Sequence, residues 1–394
     1  MIEMAVEPEA PPTGSRRPTF VRWYVGAATL LLNTFVLFAV LNLVLWPILG
    51  IRHFLARPSY LKYPDSWYRT VYPTMADPDW KELVRETKER PFNSEPYVMF
   101  TEPPYHGRYI NVADQGYRLA PQQGPWPMDP KNYNVLTFGG STMFGYGVAD
   151  DQTIPAYIQG LLQSSTSRRV CVYNFGRRGY FSTQERILCE QLLRDGARPN
   201  LVIFLDGLND FVFGVDPNSL PQNRDDSLTP PSSGNQLVAF LESLPVGEVA
   251  QTLSRKYIPS PKSAPPLDWQ TADPIAIDRY VWNKSAIGSI CKSMGIATVF
   301  VFQPTPIYEY DLTGHILKIT DWTLPGDQYT IRGYPLMAQY VKDHDMGDDF
   351  LWLADMQQGI HKLLYVDKWH YSPDFSRQIA GEICKSLEAR KQGP

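Results

Sequence analysis

The chain is short of the residues that most ligand signatures require. Its 394 residues include only four cysteines, Cys171, Cys189, Cys291 and Cys384. They are too scattered for a disulfide framework. Cys171 lies in an apolar strand pattern and the others in helix-like segments, so buried free thiols are expected, with one bridge allowed if the domain is exported. No zinc-type Cys/His spacing, Walker motif or dinucleotide glycine motif occurs. Neither a metal nor a cofactor is therefore implied. Charge of either sign is not in large excess: the formal net charge is −4. Without a basic stripe interleaved with aromatics, a nucleic-acid partner is excluded as a leading reading. Internal repeats and low-complexity arrays are also missing.

What is present is a globular composition, 43% hydrophobic and 20% charged, which separates the chain from disordered proteins. Its length suits one large domain or two ordinary ones. Residues 1–20 are rich in Pro, Glu and Ala without apolar periodicity and are expected to be a disordered tail. Residues 21–51 form an almost uncharged run, bounded by Trp23-Tyr24 and Trp46. A spanning helix needs about 20 apolar residues, and interfacial aromatics favour both membrane edges. A cleaved signal would have a shorter core and a small-x-small site. The run is read as an uncleaved membrane anchor. Arg16, Arg17 and Arg22 precede its apolar stretch from Trp23 onward, and Arg52, Arg57, Lys62 and Arg69 follow it, so the positive charges do not fix its orientation.

Residues 52–130, rich in Pro, Tyr and Trp, read as a neck packing on the domain, with a helix from Pro78 to Lys88. Within the neck, Asn111-Val-Ala-Asp-Gln-Gly-Tyr-Arg118 is turn-like and is expected to pack against the first strand. The domain proper occupies residues 131–394. Strands are expected at Asn134–Phe138, Val170–Asn174, Leu201–Leu205, Thr298–Phe302 and Phe350–Ala354. Helices are expected at Ile154–Leu162, from a capping box Ser182-Thr-Gln-Glu185, at Ile275–Met294 and at Pro373–Leu387. Continuous apolar strands alternating with helices imply a parallel sheet covered on both faces, a three-layer α/β/α fold. Two insertions interrupt the alternation, at 211–272 and 304–349, and are read as lids, binding loops or disordered segments.

Four strand ends supply chemistry-bearing residues. Strand one ends in Gly139-Gly-Ser-Thr142, presenting Ser141. Gly179 lies in Asn174-Phe-Gly-Arg-Arg-Gly-Tyr-Phe-Ser182. Asn209 lies in Gly207-Leu-Asn-Asp210, and Asp367-Lys-Trp-His370 precedes the closing helix. In α/β sheets such carboxyl ends are where ligands bind. A serine hydroxyl is a poor nucleophile unless a base takes its proton and that base is itself oriented. The Asp-x-x-His spacing lets one short turn deliver both groups.

In this order the set resembles the SGNH (GDSL-type) hydrolases, whose blocks contribute a serine, a glycine, an asparagine and a histidine. Gly-x-Asn-Asp and Asp-x-x-His match that pattern closely. The first block departs from it, with Gly139-Gly-Ser where Gly-Asp-Ser is usual. The resemblance covers roughly residues 133–390 and implies a flavodoxin-like sheet. It also implies a catalytic triad of Ser141, Asp367 and His370, and an oxyanion hole of Ser141 and Gly179 backbone N–H with the Asn209 amide. The expected substrate is an acyl ester, such as an O-acetyl group on a polysaccharide. The expected place is a periplasmic or extracellular domain with the amino terminus in the cytoplasm. Two alternatives stay open: an acyltransferase sharing the site, and a non-catalytic anchored subunit of a larger assembly. Protein partners are not indicated.

Secondary candidates remain. Asp343-His-Asp345 with Asp348 and Asp349 is either a cation site or a solvated acidic loop. Arg177-Arg178 either steer an anionic substrate or form a solvated turn. Phe211, Phe213, Trp269, Tyr308, Tyr310 and Trp369 either stack on sugar rings or serve packing.

Overall fold

The computed structural model describes residues 19–213, 236–257 and 268–394. From the amino end the elements are α1 (Thr19–Leu55), α2 (Asp65–Val71), α3 (Asp77–Glu89) and four short strands. Those strands are β1 (Asn93–Glu95), β2 (Met99–Thr101), β3 (Tyr105–His106) and β4 (Asn111–Val112). Next come β5 (Tyr133–Gly139), α4 (Ser141–Phe144), α5 (Ile154–Ser164), β6 (Val170–Asn174) and α6 (Ser182–Arg194). They are followed by β7 (Leu201–Asp206), α7 (Leu208–Val212), α8 (Gln236–Ser243), α9 (Pro245–Tyr257) and α10 (Trp269–Ser293). The chain closes with β8 (Ala297–Phe302), α11 (Pro325–Asp343), β9 (Phe350–Trp352) and α12 (Pro373–Ala389).

The described residues fall into two compact units: 19–57 with 236–257, and 58–213 with 268–394. In the first, α1 contains a 33-residue stretch, Phe20–Arg52, long and apolar enough to cross a membrane. The helix α9 packs on α1, and α8 packs on α9.

In the second unit, five strands form a parallel sheet in the order β6-β5-β7-β8-β9. Relative to sequence this order is 2-1-3-4-5, that of a doubly wound sheet whose switch point lies beside the first strand. Both faces are covered, which is why β5, β6 and β7 are buried at every position. On one face Val135, Ile203 and Val301 pack with Ile158, Phe375 and Ile383. On the other, Leu136, Phe138 and Phe204 pack with Leu188, Cys189, Ile287 and Cys291. All four cysteines are free and buried.

The neck is a folded element with its own core. Tyr68 stacks on Trp80 at 4.9 Å, and the α2–α3 layer encloses Phe144, Tyr146 and Val366. Arg118, in the turn-like segment, is fully buried. Its guanidinium donates to Asp150 (2.8 Å) and to the carbonyls of Gly145 (2.7 Å) and Val148 (2.7 Å). Its own N–H donates to Asn174 O at 2.9 Å.

Three expectations need correction. The insertion at 304–349 holds the 19-residue helix α11, and the described part of 211–272 is largely helical in α7, α8, α9 and the start of α10. Ser182 is not a cap: Phe181 precedes the helix, and Ser182 Oγ donates to Asp210 at 2.6 Å. The expected tail, except for its last two residues, lies outside the described residues.

Candidate active site

Ser141 begins α4 directly after β5, where Gly139 and Gly140 let the chain leave the sheet. Asn209 is in the first turn of α7, after β7. The switch point of the sheet thus places Ser141 and the Asn209 amide after neighbouring strands. The Asp367–His370 turn comes from the far end of the chain, before α12.

His370 Nε2 lies 2.8 Å from Ser141 Oγ, and His370 Nδ1 lies 2.6 Å from Asp367 Oδ1. Asp367 Oδ1 also accepts the backbone N–H groups of Trp369 and His370, both at 3.1 Å. A carboxylate can only accept, so Nδ1 carries the imidazole proton and Nε2 is free to accept from the serine hydroxyl. Burial pushes the Asp367 carboxyl up, but His370 and Lys88 outweigh it and hold the group well below the ordinary carboxylate range.

Gly140 is the departure from the familiar Gly-Asp-Ser block, and its surroundings account for it. A Cβ built at Gly140 would collide with Asn209 Nδ2 and come within 3.2 Å of Tyr180 O. The missing side chain is the space the Asn209 amide occupies. Asn209 Nδ2 donates one hydrogen to Tyr180 O at 2.7 Å. An amide carries two, so one remains for a developing oxyanion. Gly179 sits at φ +72°, the third residue of a turn closed by Tyr180 N donating to Arg177 O at 3.3 Å. A turn with positive φ at that position favours glycine. The turn is fastened beside Ser141 by Arg177 N donating to Gly139 O at 2.9 Å. Among the described residues, the N–H groups of Ser141 and Gly179 have no partner.

Several residues that sequence reasoning missed hold this geometry. Lys88, on α3, bonds the second oxygen of Asp367 at 3.2 Å. Trp67 donates to Val366 O at 3.0 Å. His315 Nδ1 accepts from Leu317 N at 3.0 Å, so its Nε2–H donates to Asp367 O at 3.1 Å. Burial lowers the His315 pKa, favouring this neutral form. Lys368 pairs with Asp327 at 2.7 Å, and Trp369 meets Trp322 edge-on at 4.4 Å. The neck and the 304–349 insertion therefore clamp the histidine turn from two sides. Gln303, at the end of β8, accepts from Thr142 Oγ1 (2.7 Å) and Tyr371 OH (3.2 Å), each one residue beyond Ser141 or His370. Tyr146 stacks on the His370 ring at 5.1 Å. These partners come from positions distant in sequence, so no local pattern announces them.

Beneath Asn209 lies a group of buried acids. Asp210 accepts from Ser182 Oγ and from Gly207 N (3.2 Å), tying α6 to the β7–α7 turn. Burial raises Asp210 and, with the charge of Asp206, raises Glu185 well above its ordinary value; burial, then the Asp210 charge, pushes Asp206 up to about 8.

The secondary candidates separate. Arg177 is buried and donates to Phe100 O (3.2 Å) and Tyr180 OH (3.0 Å), so it is a structural residue and not a solvated one. Arg178 lies over Phe92 and Tyr146. Phe211 is buried, Phe213, Tyr308, Tyr310 and Trp369 are half-buried, and the Trp269 side chain lies outside the described residues. The acidic segment is not assembled as a site: Asp349 pairs with Lys284 and Thr298, and Asp343 accepts from Gln339. Among the described residues no His, Cys, Asp and Glu cluster could hold a metal.

No family model and no curated protein matches the chain. Solved structures do. One is a member of the lipolytic G-D-S-L family from Veillonella parvula, at 10% identity and TM-score 0.34, covering 64% of this chain and 96% of its own. Another is a carbohydrate acetylesterase family member from Sinorhizobium meliloti, at 15% identity and TM-score 0.32, covering 66% and 97%. A third is a catalytic mutant of an acetylxylan esterase from Geobacillus stearothermophilus, at 13% identity and TM-score 0.34, covering 65% and 94%. The solved structures it resembles are SGNH (GDSL-type) lipolytic proteins and acetylesterases. At such scores the functional reading rests on the geometry of the site itself.

Proposed function

We propose that this chain is a serine-dependent acyl-ester hydrolase of the SGNH type, working without a cofactor and held to a membrane by α1. The observation that carries the reading is the continuous chain Asp367 Oδ1, His370 Nδ1, His370 Nε2 and Ser141 Oγ, with contacts of 2.6 and 2.8 Å. In the first step Ser141 Oγ attacks the ester carbonyl while His370 Nε2 takes its proton. The tetrahedral oxyanion is met by the N–H groups of Ser141 and Gly179 and by the free amide hydrogen of Asn209. Collapse expels the alcohol, which receives the proton from His370, and leaves an acyl-serine. Water, deprotonated by the same imidazole, then releases the carboxylic acid and restores the hydroxyl.

The length and apolar surface of α1 support anchoring. The choice of O-acyl polysaccharide as substrate, and of a domain outside the cytoplasm, comes from the SGNH resemblance alone. The test is release of acetate from an acetyl ester by the purified full chain, with and without an oligosaccharide acceptor. Serine-dependent acetate release that the acceptor does not divert is expected. A Ser141→Ala chain hydrolysing at the unmodified rate, or acyl-sugar exceeding free acetate, would overturn the reading.

A further inference from the structure

We propose that the α8–α9 hairpin is a second membrane-contacting element, lying in the headgroup–acyl boundary beside α1 with lipid acyl chains as its occupant. This rests on the anchoring reading of α1. Trp23 and Trp46 are 23 residues apart in sequence, about 35 Å of helix. That separation fits a hydrocarbon core of about 30 Å crossed with a modest tilt. Asn42 then lies one turn inside the second aromatic belt, near the edge of the hydrocarbon.

At that depth an amide needs partners. Asn42 Nδ2 donates to Phe38 O at 2.9 Å, and Asn42 Oδ1 accepts from Val246 N at 3.1 Å. Val246 is in the first turn of α9, where N–H groups have no acceptor within the helix. Each polar group thereby answers the other, and α9 begins against the anchor at the depth of Asn42.

The surface that results is apolar where it meets the plane of the bilayer. Phe240 is 59% exposed, Leu241 42% and Leu253 50%. The surface of α1 is likewise apolar and uncovered, with Leu37 59% exposed and Val44 53%. A cleft of about 530 Å³ opens between Phe38 and the hairpin, lined by Leu241, Val246 and Ala250. Glu242 also lines this cleft. An apolar side with a charge at its margin is the pattern of an interfacial helix, whose apolar face sinks about 5–10 Å into the boundary.

The test uses the full chain in lipid nanodiscs, carrying one cysteine labelled with an environment-sensitive fluorophore. The native thiols are 0–6% exposed and do not compete for label. Labels replace Phe240 or Leu253, with Leu31→Cys reporting on α1 and Ser167→Cys on water. Nitroxide-bearing lipids should quench the labels at 31, 240 and 253 and leave that at 167 unchanged. Adding Asn42→Leu should weaken quenching at 240 and 253 at least twofold without altering that at 31. Quenching at 31 with residues 240 and 253 behaving like 167 would overturn this inference and leave the anchor standing. Failure to quench at 31 would overturn both.

Discussion

At the scale of single residues, chemistry is concentrated in a few atoms whose neighbours can be changed one at a time. Asn209→Ala removes one oxyanion donor and is expected to lower kcat about 10²–10³-fold while KM changes little. Steady-state kinetics on one acetyl ester check this. Gly140 makes a less obvious case. Gly140→Asp would restore the usual Gly-Asp-Ser block, yet its Cβ would displace the Asn209 amide. Activity is therefore expected to fall by a similar factor. A Gly140→Asp chain with unchanged kcat would show that the amide has room to move. Lys88→Met leaves Asp367 Oδ2 without its ammonium partner and removes one of the charges that hold that carboxyl below its ordinary range. Steady-state kinetics are expected to show a lower kcat with KM little changed, and Lys88→Arg, which keeps the charge, is expected to retain most of the activity.

At the scale of elements, three buried carboxylates on α6, β7 and α7 set a pH dependence of stability. Asp206 is pushed from its ordinary 3.8 up to about 8. Between those values the folded chain binds more protons than the unfolded one, so this group makes stability fall as pH rises. Asp367, held below its ordinary range, contributes in the opposite direction only under more acidic conditions. His315, depressed by burial, opposes the trend as it deprotonates, so the comparison that isolates the acids is Asp206→Asn against the parent. Urea midpoints at pH 5.5 and pH 8 should differ less in the variant. An equal difference in both chains would contradict the assignment. The strands were legible in sequence because burial on both faces requires continuous apolar runs, and Val170–Asn174 is found at its expected limits. The helix α11 was not, because Pro325, Gly326 and Pro335 read as loop residues without the packing that offsets them. Ser182 was misread because hydroxyls that cap helices also bond distant carboxylates, and only the fold brings Asp210 to it.

At the scale of the whole chain, the sequence marked the four blocks of the candidate site but not what fastens them. Lys88 meets Asp367 across 279 positions, and Thr142 meets Gln303 across 161. Such pairs have no local signature. The neck, read as packing on the domain, and the second insertion, read as loop, prove to be the two jaws that hold the histidine turn. The account stands most directly on whether Ser141 is a nucleophile activated by His370. Labelling the folded full-length chain with a fluorophosphonate and locating the adduct by mass spectrometry measures this. The expected result is a single adduct on Ser141, lost in Ser141→Ala and slowed at least a hundredfold in His370→Ala. A folded chain that takes no label, or one labelled equally well in Ser141→Ala, would contradict the account.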